Sequence, residues 1–312
     1  MIDAAARELF ERGIGHAFDQ PTSEAVDAAL GELGWHDALA ADQRAAVSAL
    51  FRRQGEVSAT SSALDWLLAS SLGADGAVVL PALGRWDPPG EVYGPRLRVN
   101  GLSRQSIGDR VVVVASARDK DIAFDVPAAD LLLRPVHGVD PQLELLEITG
   151  ETVDVDGQPL IGWEAALALG QLAVGHELVG ASRAMLELAR AHALERVQFG
   201  RPIATFQAIR HRLADSLVAI EAAEAVLDAA WLDRSPQTAA MAKAMSGRSA
   251  RIAARHCQQV LAGIGFTTEH ALHRYVRRVL VLDLLLGSSK ALTRKLGSEV
   301  VASRQLPPLL PL

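Results

Sequence analysis

The sequence contains one cysteine, Cys257, few aromatic residues and no long apolar run. A single cysteine excludes a disulfide framework and a cysteine-rich metal site. The longest apolar stretch, residues 279–286, is interrupted by Asp283 and is far shorter than the ~18 residues that a membrane-spanning helix requires. The formal net charge of -6 argues against a nucleic-acid partner, which needs a basic face.

Sequence motifs for metal binding and for nucleophilic catalysis are also missing. There is no HExxH, CxxC, GxSxG or GxxxxGK[ST], and the nine histidines do not cluster at ligand spacing. We therefore predict no metal site. The first residues, MIDAAARELFERG, are charged and helical in pattern and do not resemble a signal peptide, so we expect a cytoplasmic location.

The 312 residues divide into three stretches that differ in composition and in the spacing of apolar residues. Residues 1–75 show apolar side chains at helical spacing, residues 76–155 contain Gly and Pro breaks between short β-branched runs, and residues 156–312 are again helical. We predict a mainly α (α+β) fold with a helical domain, a small β domain and a helical bundle in these ranges. The strand candidates are Arg96 to Asn100, Arg110 to Ala115 and, more weakly, Asp121 to Val126 and Leu143 to Ile148.

The last stretch has long helices with apolar faces. One should begin near Leu172 and end at Gly200, because Pro202 prevents its continuation. The next carries a stripe that is apolar except at Glu224: Leu213, Leu217, Ile220, Glu224, Leu227 and Trp231. The apolar run 279–282 fits an interface, with bundle core as the alternative, and the proline-rich tail 306–312 should dock on a partner or on the body.

The end of the first long helix gathers groups that suit a nucleotide. Arg196 and Gln198 stand near it, Phe199 offers a ring, and Gln207 follows the turn. The planar fork of an arginine can donate two parallel hydrogen bonds to a diphosphate. The alternative is a solvated arginine at a helix end.

The pattern R-x-x-F-G-x6-Q at 196–207, after a long Ala-rich helix, resembles that of the acyl-CoA dehydrogenases. Further similarity lies in ELVGASRA at 177–184, HRLAD at 211–215, QVLAGIGF at 259–266 and LGW at 33–35. The resemblance implies N-terminal helices, a middle β domain, a C-terminal four-helix bundle, and FAD bound across a subunit interface.

The resemblance also implies roles for individual residues. Arg196, Gln198, Phe199 and Gln207 would hold the diphosphate and adenosine side of FAD from one subunit. Gln259, Ala262, Gly263 and Gly265 would approach the cofactor from the neighbouring subunit, where glycine lets backbone come close to a ligand. Ser288, in the turn before the last helix, joins this cofactor-binding set.

The chain departs from the family where the reaction needs a base. The family removes the α-proton of an acyl-CoA with a Glu, whose usual position is Leu286 here. The alternative position falls at Gly170, beside Gln171, and neither residue is a base. The family segment L-T-E-x-x-x-G-S-D is absent, and the β domain is short.

These features lead to the hypothesis of a non-catalytic subunit in a heteromeric, α2β2-type acyl-CoA dehydrogenase. A full-length chain would carry the catalytic Glu, the substrate would be an acyl-CoA, with steroid-derived thioesters among the candidates, and electron-transfer flavoprotein would accept the electrons. One alternative is a homomeric enzyme with a relocated base at Glu224, Glu164 or Glu177, where Glu224 could instead pair with Arg212 or Arg248. The other is a flavin-free scaffold or acyl-CoA-binding pseudoenzyme, suggested by Lys290 at a polar cofactor position.

Overall fold

The computed structural model describes residues 4–74, 76–103, 107–117, 120–152, 156–159 and 162–304. The proline-rich tail 306–312, and with it the expected docking of that tail, lies outside the described residues. None of the helices in the described ranges combines the length and the hydropathy that a membrane span requires.

The N-terminal stretch is helical, as its apolar spacing predicts. Side-chain caps fix two of the starts: Thr22 accepts a hydrogen bond from the Ala25 N–H (3.2 Å), and Asp42 accepts one from the Ala45 N–H (3.1 Å). The helices are α1 (Ala4–Ala17), α2 (Ser23–Glu32), α3 (Trp35–Ala41), α4 (Gln43–Val57) and α5 (Ala63–Leu72).

A mixed sheet follows the helices. Its strands are β1 (Ala77–Val78), β2 (Leu80–Pro81), β3 (Gly90–Tyr93), β4 (Arg96–Ser103), β5 (Arg110–Ala117), β6 (Lys120–Pro127), β7 (Leu131–Pro135), β8 (Leu146–Thr152) and β9 (Asp156–Pro159). The order is β7-β8-β4-β3-β5-β6-β9, with β1 paired to β5 and β2 paired to β4. The pairs β1–β5 and β3–β5 are parallel, and the other pairs are antiparallel.

The continuous apolar run of strand β5 reflects burial on both faces of the sheet. Val111 and Val113 belong to a small core on one side of the sheet, whereas Val112 and Val114 belong to the main core shared with the helices. Both faces are covered, so strict alternation of polar and apolar residues is not required. The weaker expectation at Leu143 to Ile148 is displaced, since residues 141–143 form a 3₁₀ turn and the strand begins at Leu146.

The C-terminal helices are α6 (Trp163–Glu195), α7 (Gln207–Asp233), α8 (Pro236–Leu261), α9 (Leu272–Leu284) and α10 (Ser289–Ser303). The expected bounds of α6 were wrong at both ends, because the helix begins before Leu172 and ends before Gly200. The predicted stripe on α7 is only partly a core face. Ile220, Leu227 and Trp231 are buried, but Leu217 is 43% exposed.

Glycine lets the N-terminal helices approach the bundle backbone to backbone. A Cβ on Gly55 of α4 would overlap the carbonyl oxygen of Glu177 on α6, and a Cβ on Gly180 of α6 would overlap that of Arg52. Only glycine allows so close a crossing without moving one helix.

A buried guanidinium joins all three stretches of the chain. Arg278 of α9 is fully buried. Its Nε donates to Asp140 Oδ2 after β7 (2.6 Å), and its Nη1 donates to Glu177 Oε1 of α6 (3.3 Å). Nη1 also donates to the Ala59 carbonyl, and Nη2 to Thr60 Oγ1 (3.1 Å), between α4 and α5.

The neighbouring apolar run 279–282 belongs mainly to this core. Val279, Val281 and Leu282 are buried within the chain, and Leu280 is half-buried. The expectation of an interface at this run is therefore corrected in favour of bundle core. The period of α9 places these side chains against α6 and α8.

Replacing Arg278 should lower the free energy of unfolding more than any substitution at the surface. Arg278→Met leaves two carboxylates without their buried cation, so we expect the free energy of unfolding to fall by about 3–5 kcal/mol. Urea denaturation measures this value. The matched control is Arg277→Met on the adjacent exposed position, with an expected change below about 0.5 kcal/mol. Equal effects of the two variants would contradict the structural role of Arg278.

A second buried polar pair links α6 to α7. Trp231 Nε1 donates to His176 Nε2 (2.9 Å), so His176 is neutral with its proton on Nδ1. Burial, followed by the positive charges of Arg52 and Arg44, lowers the pKa of His176 to about 3.

The lowered pKa makes the stability of the fold sensitive to acid. In the unfolded chain His176 takes up a proton below pH ~6.5, whereas the folded chain resists protonation down to pH ~3, so stability falls as the pH decreases between these values. This group should contribute roughly 1.4 kcal/mol per pH unit. His176→Gln, which keeps a hydrogen-bond acceptor for Trp231, should flatten the fall in urea midpoint between pH 6 and pH 4. His16→Gln at an exposed position is the control, and a parallel slope in both variants would refute the assignment.

Candidate functional site

The R-x-x-F-G motif forms a tight hairpin rather than the end of a helix. Strands β10 (Val197–Gln198) and β11 (Arg201–Pro202) are joined by Phe199 and Gly200. Both linking residues have positive φ, 54° and 76°, as in a type I′ turn. Arg196 is already extended (φ -70, ψ 118), which ends α6 five residues earlier than the sequence pattern suggested.

The hairpin forms one side of a cavity of about 740 Å³. The start of α7 and the C-terminal end of α8, with the 3₁₀ turn after it, form the rest. Six of the predicted cofactor-binding residues line this cavity: Arg196, Gln198, Phe199, Gln259, Ala262 and Gly263. Both groups line one cavity of this chain, and their division between two subunits stays a prediction.

Both polar and aromatic side chains line this cavity. The side chains of Arg196, Gln198 and Gln259 make no hydrogen bond to another described residue. Phe199 is 92% exposed at the hairpin tip, and Phe206 meets it edge to face at 6.1 Å. Exposed donors beside an uncovered ring suit a ligand that has both a charged and an aromatic part.

His192 is a lining residue that the sequence analysis missed. Partial burial, and then the charges of His270 and Arg196, lower its pKa. The signal was present in the sequence, since His192 precedes Arg196 by four residues and the predicted helix would place both on one face.

Three predicted residues do not line the cavity. Gln207 is exposed at the first position of α7. Gly265 is buried, and a Cβ there would meet the Leu261 side chain at 2.9 Å, so its glycine serves packing. Ser288 caps α10 by accepting a hydrogen bond from the Ala291 N–H (3.2 Å).

The two positions at which the family would carry its base touch each other. Leu286 is fully buried, and a Cβ on Gly170 would lie 2.8 Å from Leu286 Cδ1. Leu68 and Leu64 complete the contact around Gly170, and Gln171 Nε2 donates to the Leu286 carbonyl (3.0 Å). The space is filled by aliphatic groups, so no proton acceptor stands there.

A buried lysine holds the turn that contains Leu286. Lys243 Nζ donates to the carbonyls of Asp283 and Gly287, both at 3.1 Å. Burial, opposed by the charge of Asp283, lowers the pKa of Lys243 to about 8. Although burial alone would raise the pKa of the Asp283 carboxyl, hydrogen bonds from Arg251 and the charge of Lys243 lower it.

The three relocated-base candidates lie outside the cavity around Arg196. Glu224 pairs with Arg183, whose Nε donates to Glu224 Oε1 (2.8 Å), and not with Arg212 or Arg248 as the sequence analysis suggested. Glu164 is exposed in the first turn of α6, and Glu177 is bound to Arg278.

The backbone at Ala262 offers a test of the cavity's construction. Ala262 has φ 52° and ψ -133°, a conformation that favours glycine, and such strain costs about 1–3 kcal/mol. Ala262→Gly removes this strain but adds chain entropy of about 0.5–1 kcal/mol. We expect a net gain of about 1 kcal/mol in unfolding free energy by urea titration. Ala271→Gly, at a helical φ of -57°, should destabilise instead, and a loss in both variants would count against the strained turn.

Comparison with known proteins identifies the family of the chain. Residues 162–301 match the family model described as acyl-CoA dehydrogenase, C-terminal domain. The chain is 32% identical to acyl-CoA dehydrogenase IpdE2 of Mycobacterium tuberculosis over 252 residues, which are 73% of this chain and 78% of that protein.

Solved structures share the fold over almost the whole chain. The Tcur3481-Tcur3483 steroid ACAD G363A variant superposes with a TM-score of 0.77 at 20% identity, covering 96% of both chains. A chain of the ChsE4-ChsE5 complex from Mycobacterium tuberculosis gives a TM-score of 0.74 at 20% identity, covering 98% of this chain and 99% of that one. This chain therefore belongs to the acyl-CoA dehydrogenase family, oxidoreductases whose cofactor is FAD.

Proposed function

We propose that this chain is the non-catalytic subunit of a heteromeric, FAD-dependent acyl-CoA dehydrogenase. It holds the adenosine diphosphate side of the cofactor, and a full-length partner chain supplies the catalytic Glu and the contacts to the flavin ring. The observation that carries the proposal is a contrast. Polar side chains at the Arg196 cavity have no hydrogen-bond partner among the described residues, while the Leu286 side chain fills the space beside Gly170 with hydrocarbon.

The loss of the base bears directly on activity. Proton transfer by a positioned side chain contributes typically 10²- to 10⁴-fold to a rate. Leu286 cannot accept a proton, and Gln171 beside Gly170 is committed to the Leu286 carbonyl. A chain built in this way needs a second chain to remove the α-proton of an acyl-CoA.

The cavity residues fit the adenosine diphosphate side of FAD. Arg196 presents a guanidinium with no other partner in the described chain, and its fork suits two diphosphate oxygens. Phe199 presents an exposed ring for stacking, and Gly263 lets backbone approach the ligand. When bound, FAD supplies the electron-accepting ring for α,β-desaturation of the thioester.

Two structural relatives support the heteromeric arrangement and a bulky substrate. One is described as a complex of ChsE4 with ChsE5, and the other as a Tcur3481-Tcur3483 steroid ACAD. By analogy we propose a partner chain of the same family and a steroid-derived acyl-CoA as substrate, with electron-transfer flavoprotein as the electron acceptor.

Flavin content tests the proposal. The chain purified alone should carry almost no flavin by visible absorbance, and co-expression with a full-length acyl-CoA dehydrogenase chain should give a yellow complex. Arg196→Ala should weaken flavin binding by that complex roughly 10- to 100-fold, the value of a charge-assisted hydrogen bond pair. The matched control is Arg201→Ala, on the same hairpin but stacked on Phe206 at 4.5 Å, which should retain flavin.

Other outcomes would identify a different function. One flavin per chain in the absence of a partner would contradict the proposal and favour a homomeric enzyme. In that case unchanged turnover of Glu224→Gln would exclude Glu224 as its base. A colourless complex with every full-length chain tested would favour a flavin-free scaffold.

A further inference from the structure

A cavity of about 710 Å³ lies between α3, α5 and the segments that lead into β1 and β5. Trp66 and Ala69 line it from α5. Leu64 and Leu68, which pack beside Gly170, lie on another face of the same helix. Helix α5 therefore separates this cavity from the Gly170 position, and the residues that line the cavity belong to none of the motifs that resemble the family.

One wall of this cavity is aromatic and held in place. The ring centroids of His36 and Trp66 lie 5.0 Å apart, at an interplanar angle of 52°. Trp35 is fully buried beside both, with its ring centroid 5.7 Å from that of His36 and 6.0 Å from that of Trp66. A buried indole against both rings limits their rotation, so the wall is preorganised for a ligand.

The remaining lining is small and polar. Ser62 and Ser70 contribute hydroxyl groups, and Ala69, Gly73 and Gly108 leave space unfilled because they have little or no side chain. The volume of about 710 Å³ lies in the range of small-molecule sites. A molecule with one ring system and a short polar chain fits such a space.

The charge at this cavity is opposite in sign to the charge at Arg196. Asp65, which is 7% exposed, lines the cavity, and no Lys or Arg lines it within the part of the chain that the structure describes. Asp27 is close by, since its Oδ1 accepts a hydrogen bond from the Ser62 N–H (2.8 Å). Residues 19–42, which include α2 and α3, contain six Asp and Glu and no Lys or Arg. The negative potential of these groups attracts a cation and repels an anion.

We propose that this cavity binds an organic ammonium ion, with the ammonium group at Asp65 and the organic part against Trp66 and His36. A carboxylate has two oxygens with about four lone pairs, so Asp65 can accept ammonium hydrogens in addition to any other donor. The face of an indole attracts a cation as well, and the hydroxyls of Ser62 and Ser70 can accept further N–H groups. This site needs neither flavin nor a partner chain.

Three ligands that share one ring system test the need for positive charge. Calorimetric titration of the full chain should show binding of tryptamine, whose side chain ends in an ammonium group. Tryptophol, with a hydroxyl in its place, should bind about tenfold or more weakly, the value of a hydrogen bond to a charged group. Indole-3-acetate, an anion, should not bind. The proposal is overturned if tryptamine does not bind, if tryptophol binds equally well, or if indole-3-acetate binds more tightly.

Two lysine substitutions on α5 locate the site. Ser70 is exposed and lines the cavity, so Ser70→Lys brings a cation into it at no cost to the core and should weaken tryptamine binding about tenfold or more. The matched control Ser71→Lys adds the same charge at the next residue, which does not line the cavity, and should bind tryptamine nearly as the parent does. Equal losses in the two variants would contradict the assignment to this cavity.

Two further variants separate the role of the carboxylate from other effects. Asp65→Asn keeps the shape of the side chain and should weaken the binding of tryptamine but not that of tryptophol. Arg196→Ala should leave tryptamine binding unchanged, which keeps this result apart from the flavin test. Melting temperatures show which variants are folded, and Ser70→Lys decides the question if Asp65→Asn does not fold. A lysine-rich peptide that binds while tryptamine does not would refute the proposal in favour of a protein partner.

Discussion

The guanidinium of Arg278 is the interaction on which the arrangement of the three stretches depends. It is buried without access to water, and its partners come from the loop between α4 and α5, from Asp140 after β7 and from α6. A charge in such a place is tolerated only when every partner is in position. Arg278 thus fixes α9, and α9 carries Asp283, which in turn anchors the start of α10 through the Ser289 N–H.

That chain of contacts explains how the turn at Leu286 is held in place although Leu286 cannot accept a proton. Lys243, Gln171 and Asp283 still hold the backbone of residues 283–289. The Leu286 side chain occupies the space that the missing Cβ of Gly170 leaves open. Gly170 and Leu286 are therefore one packing solution, and an unpaired carboxylate in this buried place would be costly.

The sequence predicts the local secondary structure better than it predicts which side chains come together in the fold. Apolar spacing predicts the helices of the first stretch, and the four valines of β5 predict a buried strand, because these signals lie within a few residues. The family motif marks Arg196 and Gln259, but not the single cavity they share. The partners of Arg278 could not be predicted, since Asp140 and Thr60 lie 138 and 218 residues away along the chain. The hairpin at Phe199 was missed because a non-glycine residue there adopts positive φ.

The lining of the cavity at Arg196 bears on the division of labour that we propose between two chains. It offers one guanidinium, amides and aromatic rings, and it contains no carboxylate that could accept a proton. Ligand binding requires only charge and shape, whereas proton transfer requires a single side chain at one point. In the proposed arrangement, a subunit without that side chain still contributes binding energy to a reaction that its partner completes.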